Sequence, residues 1–275
     1  MKIIQKGLEN LGLFRNFLIR SLTALFIGAL FLLVLYKGGL LLYYFVLLVE
    51  FFAFYEYIKN LKIESIYKTF FILYGFLILF ALFIIFRRFQ FYYFPLIFLV
   101  SLFPLPFLYQ KGFNLNFYLR IFYLPFYLSF GNFLFYLRDF YKFSVVLFLF
   151  INIWVYDTFA YVFGSLLGKH KLALRVSPGK TVEGFLFGFV GSFLVAFIFF
   201  KLKVLNKSFL ILVIVSLIIG LISQVGDLFE SVLKRDLGIK DFSSILPGHG
   251  GILDRIDSIL FAMPVFYYLW RYLAR

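Results

Sequence analysis

The 275-residue sequence contains no cysteine. That excludes a disulfide, a thiolate metal site and a cysteine nucleophile, and says nothing firm about compartment. Charge is scarce as well: 15% of residues are charged, against 64% hydrophobic and 24% aromatic, with 45 Phe. No water-soluble surface can be built from that composition. Acid is scarcest, 13 Asp and Glu against 27 Lys and Arg. The surplus of base does not point to nucleic acid, because the basic residues sit singly at the ends of apolar segments and form no stripe on a polar domain. No linker, low-complexity tract or internal repeat divides the chain. No A-x-A cleavage site follows Lys2, Lys6, Arg15 and Arg20, so the first apolar run reads as an uncleaved span. Residues 1–275 read as one polytopic membrane domain.

What is present in quantity is apolar sequence in runs of about 18 residues or more, the mark of an all-α integral membrane protein. Nine transmembrane helices fit, over about 18–36, 39–58, 66–86, 91–109, 116–137, 144–168, 181–200, 208–233 and 252–273. Pro95, Pro104, Pro106 and Pro125 fall in the fourth and fifth, which predicts kinks or breaks there. With the N-terminus inside, well over half of the 27 basic residues fall on the inner side, the bias expected of a cytoplasmic face. The expected location is the cell (inner) membrane, with the polar elements at residues 157–180 and 227–257 all facing the cytoplasm.

Against that background one stretch stands out: QVGDLFESVLKRDLGIKDFSSILPGHGGILDRID, residues 224–257. It holds Asp227, Glu230, Asp236, Asp241, Asp254 and Asp257, together with Lys234, Arg235, Lys240 and Arg255. Charge this dense between membrane-grade segments is costly, so function is the default reading. At about 100° per residue, Gln224, Glu230, Ser231 and Lys234 lie within roughly 60° of Asp227 on one helix face, and Arg235 only slightly beyond. Asp254 and Asp257 stand one turn apart on the next helix. Two carboxylate-bearing helix ends joined by a polar connection can converge on a hard cation such as Mg2+, with Lys234, Arg235 and Lys240 suited to phosphate oxygens. The plainer alternatives are that Lys234 and Arg235 are interfacial anchors and that Asp227 pairs with Lys234 along the helix; neither accounts for Glu230, Asp254 and Asp257 together. The turn Pro247-Gly248-His249-Gly250-Gly251 is a tight re-entry and can also form an anion-binding nest. His249 either touches phosphate or bonds the loop.

The span over 144–168 carries Trp154, Asp157, Tyr161, Gly164 and Gly168 on one stripe. The glycines read as helix packing, whereas Asp157 needs a partner. The following loop, Ser177-Pro178-Gly179-Lys180-Thr181-Val182-Glu183-Gly184, places Thr181 as an N-cap with Glu183 in the first turn. The same helix start offers N–H groups, a hydroxyl and Lys180 to a phosphate, without the spacing of a Walker A loop.

Taken together these elements resemble a known family. The pattern Ser231-x2-Lys234-Arg235-x4-Lys240-Asp241-x5-Pro247-x-His249-Gly250-Gly251-x2-Asp254-Arg255-x-Asp257 looks like the signature of phosphatidate cytidylyltransferases. The elements Trp154-x2-Asp157-x2-Ala160-Tyr161-x2-Gly164 and Ser177-Pro178-x-Lys180-Thr181-x-Glu183-Gly184 match it too. Leu174 departs from it, standing where relatives often have Pro. The resemblance covers about the last 120 residues; the first 140 carry spans and no motif. It implies transfer of CMP from CTP to phosphatidate, dependence on Mg2+ with a second cation as an option, contact with bilayer lipid, and a homodimer. On this reading Asp227 and Asp254 are the metal ligands, and Asp257, Gln224 and Asp157 complete the polar cluster. Lys180, Lys234 and Arg235 clamp phosphate. Ser177, Thr181, Lys240, Asp241, His249, Gly250, Gly251 and Arg255 complete the substrate site. The competing readings are a CTP-dependent transferase acting on another lipid phosphate or a polyprenol, and a cation-coupled secondary transporter. The latter would place its carboxylates at mid-membrane within repeats.

Overall fold

Away from water, backbone N–H and C=O groups must bond within their own segment, so apolar sequence of this length settles into helices. The computed structural model describes residues 21–23, 25–88, 124–246 and 250–273. Helix α1 (Ser21–Lys37) leads to α2 (Gly39–Lys59) and α3 (Ser65–Arg88). The expected span 91–109, and the start of that at 116–137, lie outside the described residues. The helical run through Pro125 tightens into a 3-10 turn at Ser129–Asn132 before α4 (Phe133–Phe140). There the Ser129 hydroxyl donates to Phe126 O and the Asn132 amide to Ser129 O, side-chain bonds that compete with a regular helix. The rest comprises α5 (Phe143–Leu167), strands β1 (Lys171–Ala173) and β2 (Ser177–Thr181), α6 (Val182–Lys201), α7 (Phe209–Leu237) and α8 (Leu253–Leu273). Five helices, α2, α3, α5, α6 and α7, are long and apolar enough to cross a membrane. The expected spans on described residues each meet a helix, although α8, which begins with Asp254, Arg255 and Asp257, is not among those five.

One expectation is corrected. The connection 169–180, expected as a loop, forms an antiparallel hairpin with Lys171 opposite Thr181 and Ala173 opposite Ser177, within a fold that is otherwise helical among the described residues. Strands this short carry no alternation for a sequence to display. Their pairing depends on the ends being held. The Glu183 carboxylate accepts from the Lys169 and His170 backbone N–H groups and lies 2.6 Å from His170 Nδ1. Thr181 is the expected N-cap, its Oγ1 accepting from Gly184 N at 3.1 Å.

Small residues set how closely the later helices approach. A methyl group on Gly184 would meet the Gly164 backbone of α5, and one on either Gly188 or Gly220 would lie 2.6 Å from the Tyr156 ring, which α6 and α7 clasp between them. Gly226 on α7 faces the backbone of Asp257 and Ser258 on α8, so these helices cross beside the carboxylates they carry. Helix α7 stops at Gly238, left-handed at φ 71°, whose N–H bonds Arg235 O while Ile239 N bonds Lys234 O. This reversal sends the chain back over the site. Phe, Leu, Tyr and Trp fill the interior between helices, and many other Leu and Phe side chains face outward, as lipid contact requires.

Candidate active site

The end of α7, the start of α8, the C-terminal half of α5 and the hairpin border one cavity of about 600 Å³. Of the residues singled out from sequence, Asp157, Ser177, Lys180, Thr181, Gln224, Asp227, Lys234, Asp241, Asp254, Arg255 and Asp257 line it. Trp154, Tyr161 and Gly164 add the stripe from α5. Arg235 and Lys240 do not line it. Arg235 donates from Nε to Val176 O at 3.0 Å and from a terminal nitrogen to Ile239 O at 3.3 Å, tying α7 to the hairpin turn. Pro247, Gly248 and His249 lie outside the described residues; Gly250, at φ 80°, begins what is described of the turn.

Two of the site's ion pairs cross between elements and one lies within α7. Lys180 of the hairpin lies 2.6 Å from Asp227 Oδ2, so Asp227 is not paired along its own helix with Lys234. Lys234 lies 2.7 Å from Glu230 Oε2 and 3.1 Å from Asp254 Oδ1. Asp254 has two further donors: its Oδ2 also accepts from Gly251 N at 2.8 Å and Phe242 N at 3.0 Å. Asp257 accepts from Ser258 N through Oδ1, while the Tyr127 hydroxyl donates to its carbonyl. The Ser231 hydroxyl lies 3.5 Å from Asp227 Oδ1.

One oxygen from each of Asp227, Glu230 and Asp257 lies within 4.8 Å of the others. That set differs from the expected one: Glu230 supplies a corner, and Asp254 is turned to Lys234 and two N–H groups. Glu230 is buried, and among the described residues its Oε1 has no hydrogen-bond partner; the same is true of Gln224 Nε2. The carboxylates of Asp157, Asp227, Glu230, Asp254 and Asp257 thus crowd around two ammonium groups, Lys180 and Lys234. Desolvating unpaired carboxylates costs several kcal/mol each in order of magnitude. An all-oxygen donor set with excess negative charge fits a hard divalent cation.

The first half of the chain also reaches the site, which its lack of motif did not indicate. Glu56, near the end of α2, is buried. Its carboxylate accepts from Ser243 Oγ at 2.6 Å and from Ile252 N and Leu253 N at 3.0 Å each. Asn60 donates to Phe242 O at 2.6 Å. The available signal was a carboxylate inside an apolar span, but nothing along the chain links it to residues 243–253.

Comparison with known proteins agrees with the motifs. The profile of the cytidylyltransferase family matches residues 18–273. Phosphatidate cytidylyltransferases of Staphylococcus saprophyticus and Staphylococcus aureus are 48% identical to the chain over 120 residues, and that of Staphylococcus haemolyticus is 46% identical over the same length. Each match covers 44% of this chain and 46% of the relative, so the chain spans less than half the length of the curated relatives it matches.

Proposed function

The chain belongs to the cytidylyltransferase family, and on that premise we propose that it transfers CMP from CTP to phosphatidate, forming CDP-diacylglycerol and pyrophosphate. The observation that carries the reading is the cavity lined by Asp227, Asp257, Lys180 and Lys234, with the buried Glu230 carboxylate converging on the two aspartates beside it. An oxygen of the lipid phosphate attacks the α-phosphorus of CTP, the bond from that phosphorus to the bridging oxygen breaks, and pyrophosphate leaves with the electron pair. The attacking group is already an oxyanion, so no serine or histidine nucleophile is needed. Catalysis reduces to positioning and charge neutralisation. Mg2+ held by Asp227, Glu230 and Asp257 would neutralise the triphosphate as charge moves onto pyrophosphate. Lys180 and Lys234 face the same space and suit its phosphate oxygens. Asp254, Gln224 and Asp157 support the cluster, Asp254 through Lys234. Arg235 holds the hairpin that presents Ser177, Lys180 and Thr181.

The same reading places the site at the cytoplasmic face of a nine-span protein, where a soluble nucleotide meets a lipid headgroup, and allows for a homodimer. Apolar helices on both sides of the polar cluster support a membrane setting, and the basic bias supports the orientation. The test is direct. Detergent-purified protein given labelled CTP, Mg2+ and phosphatidate should yield labelled CDP-lipid and pyrophosphate, and omission of the lipid should abolish both. Absence of product with phosphatidate, or equal product with a polyprenol, refutes the assignment.

A further inference from the structure

We propose that Glu56 is a positioning residue for the transfer reaction, a helix cap supplied by the N-terminal half of the chain to the helix that carries Asp254 and Asp257. This rests on the function proposed above. Helix α8 starts at Leu253, and neither Gly251 nor Ile252 before it has a side chain that can accept the first free N–H groups of the helix. Glu56 supplies the missing acceptor from α2, taking Ile252 N and Leu253 N at 3.0 Å each. Asp254, in the first turn, reaches back to Gly251 N at 2.8 Å. Asp254 thus supplies the half of a capping box that reaches back along the chain, and Glu56 supplies the remaining cap from another helix.

The arrangement explains why the turn ends in two glycines for two reasons. Gly250 needs its positive φ of 80°. Gly251 is not among the residues with positive φ; a methyl group there would lie 2.6 Å from Glu56 Oε2. That carboxylate is anchored by three donors, so it cannot swing aside without giving up the cap. From Glu56 the chain of contacts runs through the start of α8 to Asp254, from Asp254 to Lys234 at 3.1 Å, and from Lys234 to Glu230 at 2.7 Å. A second link runs from Asn60 to Phe242 O and from Phe242 N to Asp254 Oδ2. Helix α2 therefore sets where the α8 carboxylates stand relative to α7.

The experiment combines hydrogen exchange on the detergent-purified full chain with steady-state turnover, for Glu56→Gln, Glu56→Ala, Gly251→Ser and Glu56→Ala/Gly251→Ser. Exchange should rise at residues 250–258 in each single variant and stay unchanged elsewhere. Turnover should fall by about 10- to 100-fold in kcat, with a smaller effect on KM for CTP. Removing Glu56 makes room for a serine at 251, a good cap in its own right. The double variant should therefore be better protected and faster than Glu56→Ala, although Gly251→Ser alone is harmful. If the alanine variants fail to accumulate, Glu56→Gln, which keeps the shape and one acceptor, decides between local and general loosening. Unchanged exchange at 250–258, a rise spread over the whole chain, local loosening with wild-type kcat, or equal harm from Gly251→Ser in both backgrounds would each overturn the assignment. If the wild type itself makes no CDP-lipid, the functional reading falls, and the exchange pattern still judges the cap.

Discussion

Lys234 offers the sharpest test of the site's electrostatics, because one ammonium group serves two buried carboxylates. The side chain is 14% exposed, Glu230 is fully buried and Asp254 is 3% exposed. At an effective dielectric constant of about 20, contacts of 2.7 and 3.1 Å correspond to roughly 6 and 5 kcal/mol of attraction before desolvation. Lys234→Met keeps the length and removes the charge. It leaves Glu230 without its cation, and breaking a buried pair in this way costs about 3–5 kcal/mol. At roughly 2–4 °C per kcal/mol, the apparent Tm should drop by ~6–20 °C. Asp254 suffers less, since Gly251 N and Phe242 N still donate to it. Most of the loss should therefore trace to Glu230, and Glu230→Gln/Lys234→Met should recover to within about 1–2 kcal/mol of wild type while turnover stays lost. The assay is thermal denaturation in detergent with a chelator present, so that no divalent cation stands in for the missing charge. A Lys234→Met protein as stable as wild type, or a double variant no more stable than the single one, would refute the reasoning.

Asp227→Asn and Asp257→Asn keep the shape but remove charge from the triad, and should lower turnover by more than about a hundredfold in folded protein; near-normal rates at ordinary Mg2+ in either variant would remove that residue from the metal site. Ser177→Cys and Ser244→Cys should label from the same side of the membrane in this cysteine-free chain, and opposite accessibility would dismantle the single-site geometry. Gly188→Val or Gly220→Val forces a side chain into the Tyr156 ring and should cost about 1–3 kcal/mol of stability, read as a lower Tm; unchanged stability would show that α5, α6 and α7 can separate freely.

Properties that depend on neighbours in the chain were legible in the sequence. The described helices lie where apolar runs predict them because a segment without water must satisfy its own backbone. Thr181 caps α6, and the Asp227 face of α7 carries Glu230 and Lys234, because caps and helix faces repeat over three or four residues. What only the tertiary structure decided is which charge meets which. Lys180 reaches Asp227 from the hairpin, and Lys234, besides Glu230 one turn back on its own helix, meets Asp254 because the crossing at Gly226 brings the start of α8 against the end of α7. Glu230 enters the triad, and Asp254 is drawn to two N–H donors, through that same crossing. Glu56 lies far from residues 251–253 in sequence and is joined to them through space alone. An ion pair or a cap between segments depends on distances of a few ångströms set by helix packing, and no periodicity along a single chain encodes those.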